Sequence, residues 1–124
     1  NMVEIIRSHK DLVVWQKAVQ LSLMVYRLTE DFPPREMYGL SSQMRRAVVS
    51  IASNIAEGRS RRTKKDFVHF LHMAYGSASE LETQLLIAKQ LDFCRDKGFE
   101  ETNSLLSEVS RMLRVMIEKL ETGN

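Results

Sequence analysis

A chain of 124 residues has the common size of one domain, and folding buries roughly two-thirds of the surface of an unfolded chain of that length, so one self-sufficient core is feasible. Two prolines and five glycines, with Leu, Met, Ala, Glu, Lys and Arg abundant, favour helix over strand, and a net charge of +2 is too small to signal nucleic acid by itself. No apolar run approaches the roughly twenty residues of a membrane span and no charged-then-apolar leader is visible. Cys94, the single cysteine, cannot close an internal disulfide, and the expected location is the cytoplasm.

The first periodic segment places Val14, Ala18, Leu21, Val25 and Leu28 at steps of four and three, the seam of an amphipathic helix over about 12–31. Asp31-Phe32-Pro33-Pro34 ends it, because proline removes a donor and pushes its predecessor out of the helical region. A second helix, about 40–57, carries Leu40, Met44, Val48, Ile51 and Ile55 and stops at Gly58, a residue suited to the left-handed position after a helix. Phe67, Leu71, Ala74, Ala78, Leu81, Leu85 and Ala88 then step 4-3-4-3-4-3, a heptad seam for a third helix over about 64–91. Thr63-Lys64-Lys65-Asp66 before it reads as a capping box with Asp in place of Glu. Asp96 is expected to cap a fourth helix, about 97–121, with its seam at Leu106, Val109, Leu113, Met116 and Leu120. The connections are short, so the expected fold is all-α, a single antiparallel up-down-up-down four-helix bundle spanning 1–124.

The first helix has a second apolar stripe, Leu12, Trp15, Val19, Leu23 and Tyr26, centred about 140° from its seam. A four-helix monomer has no use for it unless loops and the connection at 37–40 fold over it. The stripe is therefore assigned to a homo-oligomer interface, since large exposed apolar patches are uncommon on monomers.

Groups for catalysis are few. His69 and His72 project away from their helix's seam, which makes them surface histidines rather than a metal pair. The Glu-x-x-His motifs of bundle metal sites do not occur, and neither a phosphate loop nor a nucleophile elbow is present. Cys94 follows Phe93 in a connection, and a lone turn cysteine is ordinarily inert even with Arg95 beside it. The expectation is a protein with no catalytic residues, no metal and no cofactor. Asn54, Glu57 and Glu80 receive structural polar roles: Asn54 as a half-buried amide needing partners, and Glu80 as a partner for Arg45 or Arg46 that fixes helix register. Gly76 in mid-helix implies close approach of another backbone or a tolerated defect.

Charge is unevenly spread. Between residues 41 and 65, Arg45, Arg46, Arg59, Arg61, Arg62, Lys64 and Lys65 face Glu57 alone, giving +6 and leaving the rest of the chain at −4. Five of these cations crowd the turn between the second and third helices, and Lys64 and Lys65 fall in a first helical turn, where the helix dipole disfavours them. The reading is a phosphate-contacting patch for nucleic acid, RNA or DNA, centred on Arg59 to Lys65 with help from Arg45 or Arg46. The competing reading is a protein-interaction scaffold whose basic turn is only a soluble connection, since the charge run has no interleaved aromatic residues for base stacking.

Four stretches carry a family resemblance: Asp11-Leu12-Val13-Val14-Trp15-Gln16-Lys17-Ala18, Tyr38-Gly39-Leu40-Ser41-Ser42-Gln43-Met44-Arg45-Arg46-Ala47, Ser53-Asn54-Ile55-Ala56-Glu57-Gly58, and Gly76-Ser77-Ala78-Ser79-Glu80-Leu81-Glu82-Thr83-Gln84-Leu85. Over about residues 10 to 120 the chain resembles the four-helix-bundle proteins encoded in intervening sequences of 23S ribosomal RNA genes. The resemblance implies an antiparallel bundle assembled as a homopentamer, with no established enzymatic activity. A more distant similarity, to the accessory protein of diversity-generating retroelements, implies RNA and a nucleic-acid-processing protein, a reverse transcriptase, as partners. Ala52 stands where many relatives carry proline, which should straighten the second helix. The combined expectation is a non-catalytic oligomeric adaptor for structured RNA, with no role at a membrane.

Overall fold

A computed structural model of the protein describes His9 and residues 12–122; Asp11, which opens the tryptophan motif, and the two ends of the expected 1–124 domain lie outside them. Among the described residues four α-helices follow in chain order, α1 (Val13–Glu30), α2 (Leu40–Arg59), α3 (Lys64–Gln90) and α4 (Asp96–Glu121), with a 3-10 turn at Pro34–Glu36 between α1 and α2. There is no strand among the described residues.

Each helix packs on its neighbour in sequence, α4 closes back onto α1, and α2 with α3 form the most extensive pair. Cross-helix polar contacts set the antiparallel register. Arg45 Nε donates to Thr29 Oγ1 at 2.9 Å between α2 and α1, and Ser50 Oγ meets Ser77 Oγ at 2.9 Å between α2 and α3. Lys17 pairs with Glu108 at 3.2 Å between α1 and α4. Two contacts pin α3 to α4 near their ends, Lys89 with Asp96 and His72 Nε2 with Glu121 at 2.9 Å. The architecture is an all-α antiparallel four-helix bundle.

The heptad seam of α3 is the middle of the core. Leu71, Ala74, Ala78, Leu81, Leu85 and Ala88 are fully buried, and they face Met44, Val48, Ile51 and Ile55 of α2 in one continuous apolar cluster. Every buried leucine or isoleucine there contributes about 1.5–3 kcal/mol through removal from water, and the interleaved alanines let the backbones approach.

At two helix ends the seam departs from strict 4-3 spacing. Thr29 rather than Leu28 is buried in α1, and Ile117 rather than Met116 or Leu120 in α4. An α-helix turns by 3.6 residues, so a heptad line drifts by about 20° per repeat and a second four-step corrects it. Thr29 is tolerated in the core because its hydroxyl donates to Val25 O at 2.8 Å and accepts from Arg45.

Two expected helix boundaries have other causes. Gly58 does not end α2 in a left-handed conformation: it lies inside the helix, which runs on to Arg59 with Ser60 as its cap. A Cβ at Gly58 would stand 2.8 Å from Phe70 Cβ and 3.2 Å from Phe67 O, so this glycine lets the start of α3 touch α2. Asp96 does not cap α4 either. Arg95 holds that position without a side-chain bond, and Asp96 sits in the first turn, paired with Lys89. Thr63 caps α3, its Oγ1 accepting from Asp66 N at 3.1 Å. At the start of α2 a carboxylate does this work, with Glu36 Oε1 accepting from Leu40 N at 3.1 Å. Gly76 faces open space, with no atom within 4 Å of a Cβ built there, and α2 runs unbroken through Ala52.

Candidate nucleic-acid interface

The α2–α3 connection is a tight turn. Ser60 N donates to Ala56 O and Glu57 O, both at 3.2 Å, Arg61 N donates to Gly58 O at 3.1 Å, and Phe67 N donates to Thr63 O at 3.1 Å. Gly58 pressed on Phe67 and Phe70 holds the two helices together immediately behind it.

The five cations of this turn are not equivalent. Arg61 is fixed: its Nη2 lies 3.0 Å from Glu57 Oε2, and its guanidinium stacks 4.8 Å above the Phe70 ring. Arg59 is half-buried. Arg62, Lys64 and Lys65 are exposed and form no ion pair among the described residues. The last two stand in the first turn of α3, where Asp66 is the only acidic residue. The turn thus offers three uncommitted cations around a helix N-terminus, an arrangement suited to phosphate.

Arg45 and Arg46 do not join them. They lie fourteen and thirteen positions before Arg59 on one continuous helix, about 20 Å away along its axis. The Arg45 guanidinium turns toward α1, bonding Thr29 Oγ1 and stacking 4.8 Å from the Tyr26 ring, so it does not meet Glu80. Arg46 is exposed and lines one groove with Glu80, but Glu80 makes no ion pair within 4.0 Å among the described residues. Asn54 Nδ2 donates to Ser50 O at 2.8 Å and to Ser50 Oγ at 2.9 Å, and through Ser50 it reaches Ser77 on α3. Glu57 serves Arg61.

The outer stripe of α1 is split along its length. Leu12 and Trp15 pack half-buried against the core, with Trp15 edge-on to His9 at 4.9 Å. Val19 is half-buried, whereas Leu23 and Tyr26 are 51% and 42% exposed. A second apolar patch, Leu86, Ile87 and Leu91, is exposed on and just after α3.

His69 and His72 are both exposed; His69 lies edge-on to Phe70 and His72 bonds Glu121. Among the described residues no three His, Cys, Asp or Glu side chains group where a metal could sit, and no helix is long and apolar enough to cross a membrane. Burial pushes the Cys94 thiol above its ordinary value despite the nearby Lys89, the opposite of what a nucleophile needs.

Two contributors were not legible along the chain. Phe70 beneath Arg61 is reached only across the turn, and Tyr38, 92% exposed next to Arg46, stands clear of the fold. No aromatic residue is interleaved among the cations of the basic segment; the fold brings Phe70 under Arg61 at one end of α2 and Tyr38 beside Arg46 at the other.

A family model described as 23S rRNA-intervening sequence protein matches residues 10–115. Among solved structures, the chain is similar to the crystal structure of a protein with unknown function from the S23 ribosomal protein family of Bacteroides thetaiotaomicron, with a TM-score of 0.77 and 23% identity, over 85% of this chain and 98% of that one. At that identity the likeness concerns the fold alone. No curated protein matches the chain.

Proposed function

The chain belongs to the 23S rRNA-intervening sequence protein family, and from that premise we propose that it is a non-catalytic, homo-oligomeric adaptor of the cytoplasm that binds structured RNA through the α2–α3 turn. The observation that carries this reading is that Arg62, Lys64 and Lys65 are exposed without ion pairs at the start of α3. Neither the Thr63 cap nor the Gly58 packing requires them, and the helix dipole opposes two of them. Phosphate oxygens would satisfy the cations and the remaining N-terminal amides together.

Self-association multiplies a weak contact of this kind by avidity. The exposed part of the α1 stripe and the Leu86–Leu91 patch lie on helices that are not neighbours in the ring order. Two different patches per subunit suit the head-to-tail contacts of a closed ring, in keeping with a homopentamer. A nucleic-acid-processing protein is a further partner in this reading.

The scaffold reading draws its support from Arg61, whose charge is consumed by Glu57 and Phe70, as in a turn built only for solubility. The two part in the freshly purified protein. The adaptor carries nucleic acid, seen as a raised 260-to-280 nm absorbance ratio that falls after a high-salt wash; a scaffold shows the protein ratio before and after.

A further inference from the structure

Tyr38 is the most exposed large apolar side chain among the described residues, yet the turn that carries it is tightly built. Met37 N donates to Pro34 O at 3.1 Å, Gly39 N donates to Glu36 O at 3.0 Å, and the Glu36 carboxylate caps α2 immediately beyond. With the backbone beneath it already fixed, only the two side-chain torsions of the ring need ordering when something stacks on it.

Beside it runs a groove of about 290 Å³ between the turn, α2 and α3, lined by Tyr38, Ser42, Gln43, Arg46, Ser50 and Glu80. Its polar groups are of both kinds. Arg46 brings a guanidinium and Glu80 a carboxylate, and they share the groove without pairing with each other. Ser50 is held in place by Ser77 and Asn54.

We propose that this groove takes one unpaired guanine of a single-stranded RNA segment, stacked on Tyr38, with Arg46 on its acceptor edge and Glu80 on its donor edge. Guanine carries two acceptors, O6 and N7, which an arginine reads bidentately. On the adjacent edge it carries N1–H and the N2 amino group, donors for a carboxylate. Adenine has an amino group where guanine has O6, so it would turn a donor toward Arg46. Uracil and cytosine lack the N7 acceptor and offer a smaller stacking face. Stacking on an exposed tyrosine is sequence-tolerant and supplies affinity; the opposed charges supply the choice of base. The groove lies about 20 Å from the basic turn along α2, so the two contacts fit one RNA that has both a duplex and an unpaired stretch.

This inference rests on the RNA-binding reading, and its test separates the two. Fluorescence anisotropy is read with three probes: a uridine decamer, the same decamer with one central guanosine, and an RNA hairpin without unpaired purines. The parent protein is expected to bind the guanosine decamer about tenfold more tightly than the uridine one, the scale of one bidentate base contact. Tyr38→Ala should weaken both decamers and leave the hairpin unchanged, while Tyr38→Phe retains binding. Glu80→Gln and Arg46→Gln should each reduce the preference for guanosine. These positions are exposed, so the variants are expected to fold. If the hairpin binds but the two decamers bind alike, the groove does not read guanine and the inference falls while the adaptor reading stands. If no probe binds the parent, both fall. If Tyr38→Ala changes the oligomer mass in light scattering, the groove is a contact between copies of the chain and the inference is overturned.

Discussion

The connection between α2 and α3 and the one between α3 and α4 do the same topological work, each reversing the chain between long antiparallel helices. They are built differently. The first is closed by apolar backbone approach, Gly58 against Phe67 and Phe70, and it presents Arg62, Lys64 and Lys65 without ion pairs among the described residues. The second is closed by an ion pair, Lys89 Nζ to Asp96 Oδ1 at 2.6 Å, with the Phe93 ring tilted against Phe32 at 5.6 Å and Asp92 in a left-handed conformation, φ 59°. Its charges, Lys89, Asp92, Arg95, Asp96 and Lys97, nearly cancel. A reversal in this bundle therefore needs no such surplus of positive charge, and neither the Gly58 packing nor the Thr63 cap accounts for the one at the first turn.

The difference in construction can be broken at the first turn. Gly58→Ala places a Cβ against Phe70 Cβ and Phe67 O, neither of which can move without its helix, so thermal or urea unfolding should show a loss of about 1–3 kcal/mol. Gln84 lies on the stretch of α3 leading to the second turn, 6% exposed, with Oε1 lacking a hydrogen-bond partner. Removing an orphaned acceptor favours the fold, and Gln84→Leu should be neutral or stabilising by about 1 kcal/mol. Gly76→Ala is the control for Gly58 on the same helix pair: with open space around it, it should raise stability by up to about 1 kcal/mol.

The smallest effect sharpens the second turn. Its hydrogen bond to Lys89 holds the Asp96 carboxyl below the ordinary aspartate value, and the same bond raises Lys89. A lowered carboxyl stabilises the fold above its unfolded-state value and loses that contribution as pH falls through the folded one; a raised lysine stabilises below its unfolded-state value and loses it as pH rises through the folded one. The stability difference between parent and Asp96→Asn should therefore be present near neutrality and shrink toward both extremes of pH. Asp96 is exposed and Lys89 only half-buried, so the difference will be small and salt-sensitive.

The helices were legible in the sequence because their apolar periods are long and regular, above all the α3 heptads. What sequence could not show were contacts that cross helices or turns. Thr29 enters the core because Arg45 arrives from α2 to use its hydroxyl, and Glu36 caps α2 by folding back from the preceding 3-10 turn. Gly58 was recognised as special, but its cause is close packing on α3 rather than a left-handed stop. The basic turn was visible because its cations are consecutive. That Arg45 and Arg46 belong to a different place, beside Tyr26 and Tyr38, follows from helical rise once α2 is known to run unbroken from them to Arg59.

The central claim is that the surplus cations of the first turn contact phosphate, and the most direct test is a salt titration of binding to structured RNA by the parent and by the Arg62→Ser/Lys64→Ser/Lys65→Ser variant. The parent's affinity is expected to fall steeply with salt, as counterion release requires. The variant should bind more weakly at low salt, with a slope flatter by about one for each phosphate it no longer neutralises, at unchanged helicity and oligomer mass. Equal affinity and equal slope for the two proteins would contradict the claim and leave the turn a solvated connection.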